Sequence, residues 1–185
     1  MRIFIAIDFN DVIKQSLIRH IQILQKEYPQ LKWVKRQSLH LTIKFIGEIN
    51  PQILPEIFSL LSDELAHIPE FHLTSSDPGF FPSVKKARVF YLGLIMADPL
   101  ATCFNIIDKK LDRIGIEKES KPFRPHVTLA RVKDNNTNPA LFEHLNAYKI
   151  QKLTIPVTEI VTMKSESGKF GSRYTPVQRF PLHSK

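Results

Sequence analysis

The sequence predicts an α+β fold: two similar lobes related by an internal duplication with pseudo-twofold symmetry, with antiparallel-rich sheets flanked by helices around a central cleft. Three observations lead there. The chain matches itself without gaps at an offset of 86 residues, placing Arg2-Ile3-Phe4 on Arg88-Val89-Phe90, Ile18 and Ile21 on Phe104 and Ile107, and His40-Leu41-Thr42-Ile43 on His126-Val127-Thr128-Leu129. Each half opens with a β-branched and aromatic run, and an amphipathic helical pattern follows each run. No low-complexity linker separates the halves, so residues 1–185 read as one two-lobed domain.

Taken in order, Arg2–Asp8 and Arg88–Leu94 predict strands. Asn10–Tyr28 carries Val12, Ile13, Leu17, Ile21 and Leu24 at helical spacing and stops before Pro29. Asp98–Ile114 predicts its counterpart, with Asp98 as N-cap, Pro99 at the first helical position and Gly115 just past the end. Asn50-Pro51 and Asn138-Pro139 are start signals for two shorter helices. Leu73–Ser83, with Gly79 and Pro82, reads as irregular. The C-terminal stretch reads as a hairpin, Lys152–Lys164 and Arg173–Leu182 about a turn at Gly168-Lys169-Phe170-Gly171.

Composition bounds the partners. Apolar residues make up 43% of the 185-residue chain, enough for a core, and charged residues at 24% argue against disorder. Lys and Arg number 26 against 18 acids, so the formal charge of +8 favours a polyanionic partner such as nucleic acid. The single cysteine, Cys103, excludes an intramolecular disulfide and a cysteine-rich zinc site and reads as a core residue. Met1–Phe9 runs into a strand without signal-peptide character, and the longest apolar run, Val89–Ala97, is too short for a bilayer. A cytoplasmic monomer with no membrane association is expected. His20, His67, His72, His144 and His183 form no metal-ligand spacing, and there is neither a P-loop nor a Gly-x-Gly-x-x-Gly, so no metal and no cofactor are expected.

The chemistry concentrates in the repeated His-x-Thr. In a strand, residues i and i+2 share a face, so His40 projects with Thr42, and His126 with Thr128, backed by core-facing Leu41, Ile43, Val127 and Leu129. A pseudo-twofold would bring the two pairs across one cleft. That suits in-line displacement at phosphorus, where one group takes a proton from water and another gives one to the leaving oxygen. Histidine, with an unperturbed pKa of about 6.5, can play either part near neutrality. The threonine hydroxyls would donate to the non-bridging oxygens. The symmetry of the halves leaves open which histidine is acid and which is base. By the same alternation Lys44 lies on the cleft face, whereas Phe45 and Arg131 lie on the core side and need a twist or a strand end to reach the cleft. Lys35-Arg36, Lys85-Lys86 and Arg131 with Lys133 are candidate rim cations, and Phe4, Phe58, Phe90 and Phe104 read as packing.

The flanking residues, Trp33-Val34, Ser38-Leu39-His40-Leu41-Thr42-Ile43-Lys44-Phe45-Ile46-Gly47-Glu48 and Phe123-Arg124-Pro125-His126-Val127-Thr128-Leu129-Ala130-Arg131, resemble the two-histidine phosphoesterases, and within them the RNA 2′,3′-cyclic phosphodiesterases, also called 2′-5′ RNA ligases. Phe80-Phe81-Pro82-Ser83, Ala87-Arg88-Val89 and Ser172-Arg173-Tyr174-Thr175-Pro176 extend the resemblance over nearly the whole chain. The resemblance implies metal-independent opening of an RNA 2′,3′-cyclic phosphate end to a 2′-phosphomonoester. It implies His40 as proton donor, His126 as proton acceptor, Thr42 and Thr128 as phosphate ligands, and Arg131 and Phe45 as substrate contacts. Alternatives within the same site are 2′-5′ ligation and opening of a small cyclic phosphate such as an ADP-ribose derivative. A basic RNA-binding module without turnover would explain the charge but not the paired motifs.

Overall fold

The computed structural model describes residues 1–132, 139–168 and 171–184. Asn138, Lys133, Lys169 and Phe170, which figure in the expected helix start, rim and turn, lie outside the described residues. In chain order the elements are β1 (Arg2–Asp8), α1 (Asp11–Glu27), β2 (Lys32–Trp33), β3 (His40–Glu48), α2 (Leu54–Ala66), β4 (Phe71–Phe81), β5 (Val89–Leu94), α3 (Asp98–Asp112), β6 (His126–Arg131), α4 (Pro139–Ala147), β7 (Thr154–Val157), β8 (Glu159–Gly168) and β9 (Gly171–Pro181).

Local chemistry sets the helices where the pattern placed them. Asn10 caps α1, its side-chain oxygen accepting from the Ile13 N–H at 3.0 Å. Ile13, Leu17, Ile21 and Leu24 form the buried stripe of α1, and Leu100, Cys103, Ile107 and Leu111 form that of α3. The N-cap of α3 is Ala97, and Asp98 is already helical, its carbonyl accepting from the Thr102 hydroxyl at 2.9 Å. The expected Asp98 cap is therefore one residue late. Gly115, with φ of +82°, follows the end of α3 in the left-handed conformation that glycine adopts without a Cβ clash.

Among the described residues the nine strands join one sheet, in the order β7-β4-β5-β6-β3-β1-β8-β9, with β2 paired to β6. Every ladder between them is antiparallel. The two expected sheets are thus a single one, joined at its middle by β3 and β6. Ile3, Ile5 and Ile7 point from β1 to the helix stripes in the large core. Phe4 and Ala6 point the other way, into a small cluster with Val161 and Met163 against Tyr174. Burial on both faces is why β1 reads as a near-continuous apolar run. No described helix is long and apolar enough to cross a membrane.

Two segments differ from expectation. Leu73–Ser83, read as irregular, lies mostly within strand β4, because a register shift against β5 between Ser75 and Pro78 lets the ladder accommodate the proline. Lys152–Lys164, read as one strand, is β7 and most of β8, broken at Thr158. The first part pairs with β4 and the second with β1, so one bent run of chain serves both ends of the strand order.

Candidate active site

The decisive local feature is a bulge placed identically in both motif strands. On β3, Ala6 faces Thr42 while its neighbour Ile5 faces Lys44, so Ile43 is the extra residue. On β6, Tyr91 faces Thr128 while Phe90 faces Ala130, so Leu129 is the extra residue. An extra residue reverses the alternation beyond it. Both strands consequently show the same sequence of burial from the histidine onward: half-buried, buried, half-buried, buried, buried, exposed. Two corrections to the simple parity follow. Lys44, expected on the cleft face, is 1% exposed on the helix side, its Nζ at 2.6 Å from Asp108 Oδ1 and donating to the Glu117 carbonyl at 2.7 Å. Phe45, 62% exposed, and Arg131 swing onto the face that carries the histidines.

The registered pair between β3 and β6 is Leu41 with Val127. One residue to either side of that antiparallel pair, Thr42 stands opposite His126 and His40 opposite Thr128. The four side chains occupy the corners of a rectangle, with the imidazoles on one diagonal, a separation of about 7–8 Å. They share the floor of a cleft of about 700 Å³, to which Phe45 and Arg131 also contribute. The six residues expected to act on or contact the substrate, His40, Thr42, Phe45, His126, Thr128 and Arg131, therefore line one cleft.

Each imidazole stands in an aromatic frame. Phe4 lies 5.0 Å and Tyr174 5.2 Å from the ring of His40, the latter edge-on. Phe81 lies 4.8 Å and Tyr91 5.5 Å from the ring of His126. Phe4 is buried, as a packing residue should be, but it packs under the cleft rather than in the helix-side core. The polar tethers fix the ring faces. His126 Nδ1–H donates to the Arg124 carbonyl at 2.8 Å, which leaves Nε2 as the free nitrogen. His40 Nε2 shares a hydrogen bond with Thr42 Oγ1 at 3.0 Å, and the Ser38 backbone favours the charged ring. Burial pushes the pKa of His40 down to about 4, with the Ser38 bond and the Asp8 carboxylate opposing and the charges of Lys14 and His126 adding to the fall. Burial also lowers His126, against the Arg124 bond.

The rim is one-sided in charge. Arg2, Lys32, Lys35 and Arg131 line the cleft, and no carboxylate does so among the described residues. Of the expected rim cations, Lys35 is present, whereas Arg36 turns to Asp11 at 3.0 Å and Lys85 and Lys86 lie elsewhere. Lys32 and Arg2 were not singled out from the sequence. The Arg2-Ile3-Phe4 repeat marked the strand but not its cleft side, and Lys32 reaches the cleft only through the pairing of β2 with β6. Tyr91 was visible only as a member of an aromatic strand, and Tyr174 only within the Ser172–Pro176 stretch that extends the resemblance, without a role at the site. Among the described residues no group of three or more His, Cys, Asp or Glu could hold a metal ion.

A central antiparallel sheet that presents His-x-Thr from two adjacent strands defines a phosphoesterase of the two-histidine class. The sequence pattern of the 2′-5′ RNA ligase superfamily matches residues 10–169, and the chain belongs to this family. Among its relatives is a protein of Thermotoga maritima named RNA 2′,3′-cyclic phosphodiesterase, 35% identical over 72% of this chain and 71% of that protein. One of the same name from Escherichia coli is 30% identical over 98% and 96%. The crystal structure of E. coli LigT complexed with NADP+ matches with a TM-score of 0.76 at 27% identity, covering 98% of this chain and 97% of the other. A crystal structure from Thermus thermophilus, at 24% identity and a TM-score of 0.82, shares the fold over the full length of both chains.

Proposed function

We propose that this chain hydrolyses 2′,3′-cyclic phosphate ends of RNA to 2′-phosphomonoesters. In this reading His126 takes a proton from water, whose oxygen attacks phosphorus. The 3′ oxygen leaves on the opposite side and takes its proton from His40. The observation that carries the proposal is the diagonal of imidazoles across β3 and β6, each with a threonine hydroxyl opposite it. A cyclic phosphate seated in the rectangle has a nitrogen on either side of phosphorus and hydroxyl donors at the other corners for its non-bridging oxygens. Arg131 and Phe45, turned inward by the bulges, would contact the nucleotide beyond the phosphate. His40, its pKa lowered to about 4 by burial, is neutral in the free protein at neutral pH, so this donor must gain its proton as substrate arrives. The anionic phosphate supplies that shift, because an adjacent negative charge favours the imidazolium.

The relatives' name supports RNA as the substrate, and the carboxylate-free rim suits its charge. One chain supplies the whole rectangle, so a monomer suffices. The matching burial and bulges of β3 and β6 support a single two-lobed domain built by duplication. With a 5′ hydroxyl in place of water, deprotonated by His126 while the 3′ oxygen leaves with a proton from His40, the same site would open the cyclic phosphate into a 2′-5′ linkage, which the superfamily's ligase name suggests.

The test is turnover of a 2′,3′-cyclic-phosphate oligonucleotide in excess EDTA, followed by chromatography of the product. A 2′-phosphate is expected, with His40→Ala and His126→Ala each slower by about 10²–10⁴-fold and Thr42→Val and Thr128→Val by less. Product that forms only on adding metal, or full activity in either histidine variant, would overturn the reading.

A further inference from the structure

Lys32 stands opposite Arg131 on the β2–β6 ladder. Directly opposed residues of a ladder share a face, so two cations lie side by side at the cleft. Like charges so placed repel, and neither is offset by a carboxylate ion pair among the described residues. The pairing is nevertheless held in place. The Val34 N–H donates to the carbonyl of the bulge residue Leu129 at 3.0 Å, and the Trp33 indole N–H donates to the Tyr28 carbonyl at 2.9 Å. Trp33, opposite Ala130, faces the helix side and packs edge-on to Phe90 at 6.1 Å. Lys35 adds a further cation to the lining of the cleft. An anion between Lys32 and Arg131 would turn repulsion into a clamp.

From Thr128 to Arg131 the strand advances about 7–10 Å. That step separates the catalytic rectangle from the clamp and matches the next phosphate of an extended strand, given the reach of Lys and Arg side chains. The cleft, at about 700 Å³, has room beyond one nucleoside phosphate. We propose that Lys32 and Arg131 form a subsite for the phosphodiester one nucleotide upstream of the reacting end, so that the enzyme selects oligonucleotides over mononucleotides. This rests on the cyclic phosphodiesterase reading and names its substrate class.

The experiment compares kcat/KM for a dinucleotide ending in a 2′,3′-cyclic phosphate with that for the nucleoside 2′,3′-cyclic phosphate. The wild type should prefer the dinucleotide by about tenfold or more, the weight of one charge-assisted contact. Lys32→Ala should collapse that ratio towards one, and Lys32→Arg should restore it. A wild-type ratio near one, or a ratio unchanged in Lys32→Ala, would overturn the subsite. Should neither compound turn over, the catalytic reading fails, and binding of the dinucleotide 2′-phosphate decides the subsite separately. A Kd about tenfold weaker in Lys32→Ala than in wild type upholds it, and an equal Kd overturns it.

Discussion

Replacing Lys44 by Met tests the reversed alternation on β3 most directly. If Lys44 lay in the cleft, its loss would hardly touch stability, since surface substitutions stay within about 0.5 kcal/mol. Instead its ammonium is enclosed, 1% exposed, between the Asp108 carboxylate at 2.6 Å and the Glu117 carbonyl at 2.7 Å. Asp108 also accepts from the Glu119 N–H at 3.0 Å, so the lysine ties β3 to α3 and to the segment that leads towards β6. Removing one member of a buried pair leaves the other charge uncompensated, at a cost of about 3–5 kcal/mol. Asp108 retains its Glu119 bond and 14% side-chain exposure, so about 3 kcal/mol is the expected loss. Urea unfolding of wild type, Lys44→Met, Asp108→Leu and the double variant gives the cycle. The double variant should be clearly more stable than the sum of the single losses predicts, because no orphan charge remains. A loss below about 1 kcal/mol in Lys44→Met, or strict additivity, would refute the burial of this lysine and the bulge that produces it.

Acid should destabilise the fold through His40. Its folded pKa, about 4, lies below the ordinary value of 6.5, so the unfolded chain takes up the proton first. The stability it contributes is complete above about pH 6.5, falls as pH drops towards 4 and is lost below, by roughly 3 kcal/mol in all. In His40→Gln that part of the slope between pH 6.5 and 4 should vanish in chemical unfolding curves, and an unchanged slope would contradict the desolvated ring. Gly79→Ala tests the frame of His126. A Cβ there would lie 2.6 Å from the Tyr91 hydroxyl and 2.7 Å from its ring, so Tyr91 must move, and with it the wall it forms with Phe81, 4.2 Å away. A stability loss of about 1–3 kcal/mol is expected, with kcat reduced more than KM is raised. Wild-type kinetics would show that the Tyr91 wall does not position His126.

Much of this was legible along the chain because it rests on local chemistry. The helix stripes of α1 and α3 and the Gly115 stop depend on residues a turn apart. Both His-x-Thr pairs share faces because a strand's period is two within three residues, before the bulge intervenes. Beyond the bulge the sequence misplaced Lys44, and it needed a device to turn Phe45 and Arg131 inward, because Ile43 and Leu129 carry no bulge signal of their own. Pairing with β1 and β5 creates the extra residue.

The sequence by itself determined the composition of the machinery: two imidazoles, two hydroxyls and strands to carry them, each fixed by residues in immediate succession. Only the tertiary structure decided that β3 and β6 are neighbours, that Lys32 joins Arg131 through a two-residue strand, and that Thr158 sends one segment to both ends of the order. Those choices depend on which backbone N–H and C=O groups meet across distances of many residues. Local periodicity cannot specify such partners, since any strand offers the same donors and acceptors until packing selects among them.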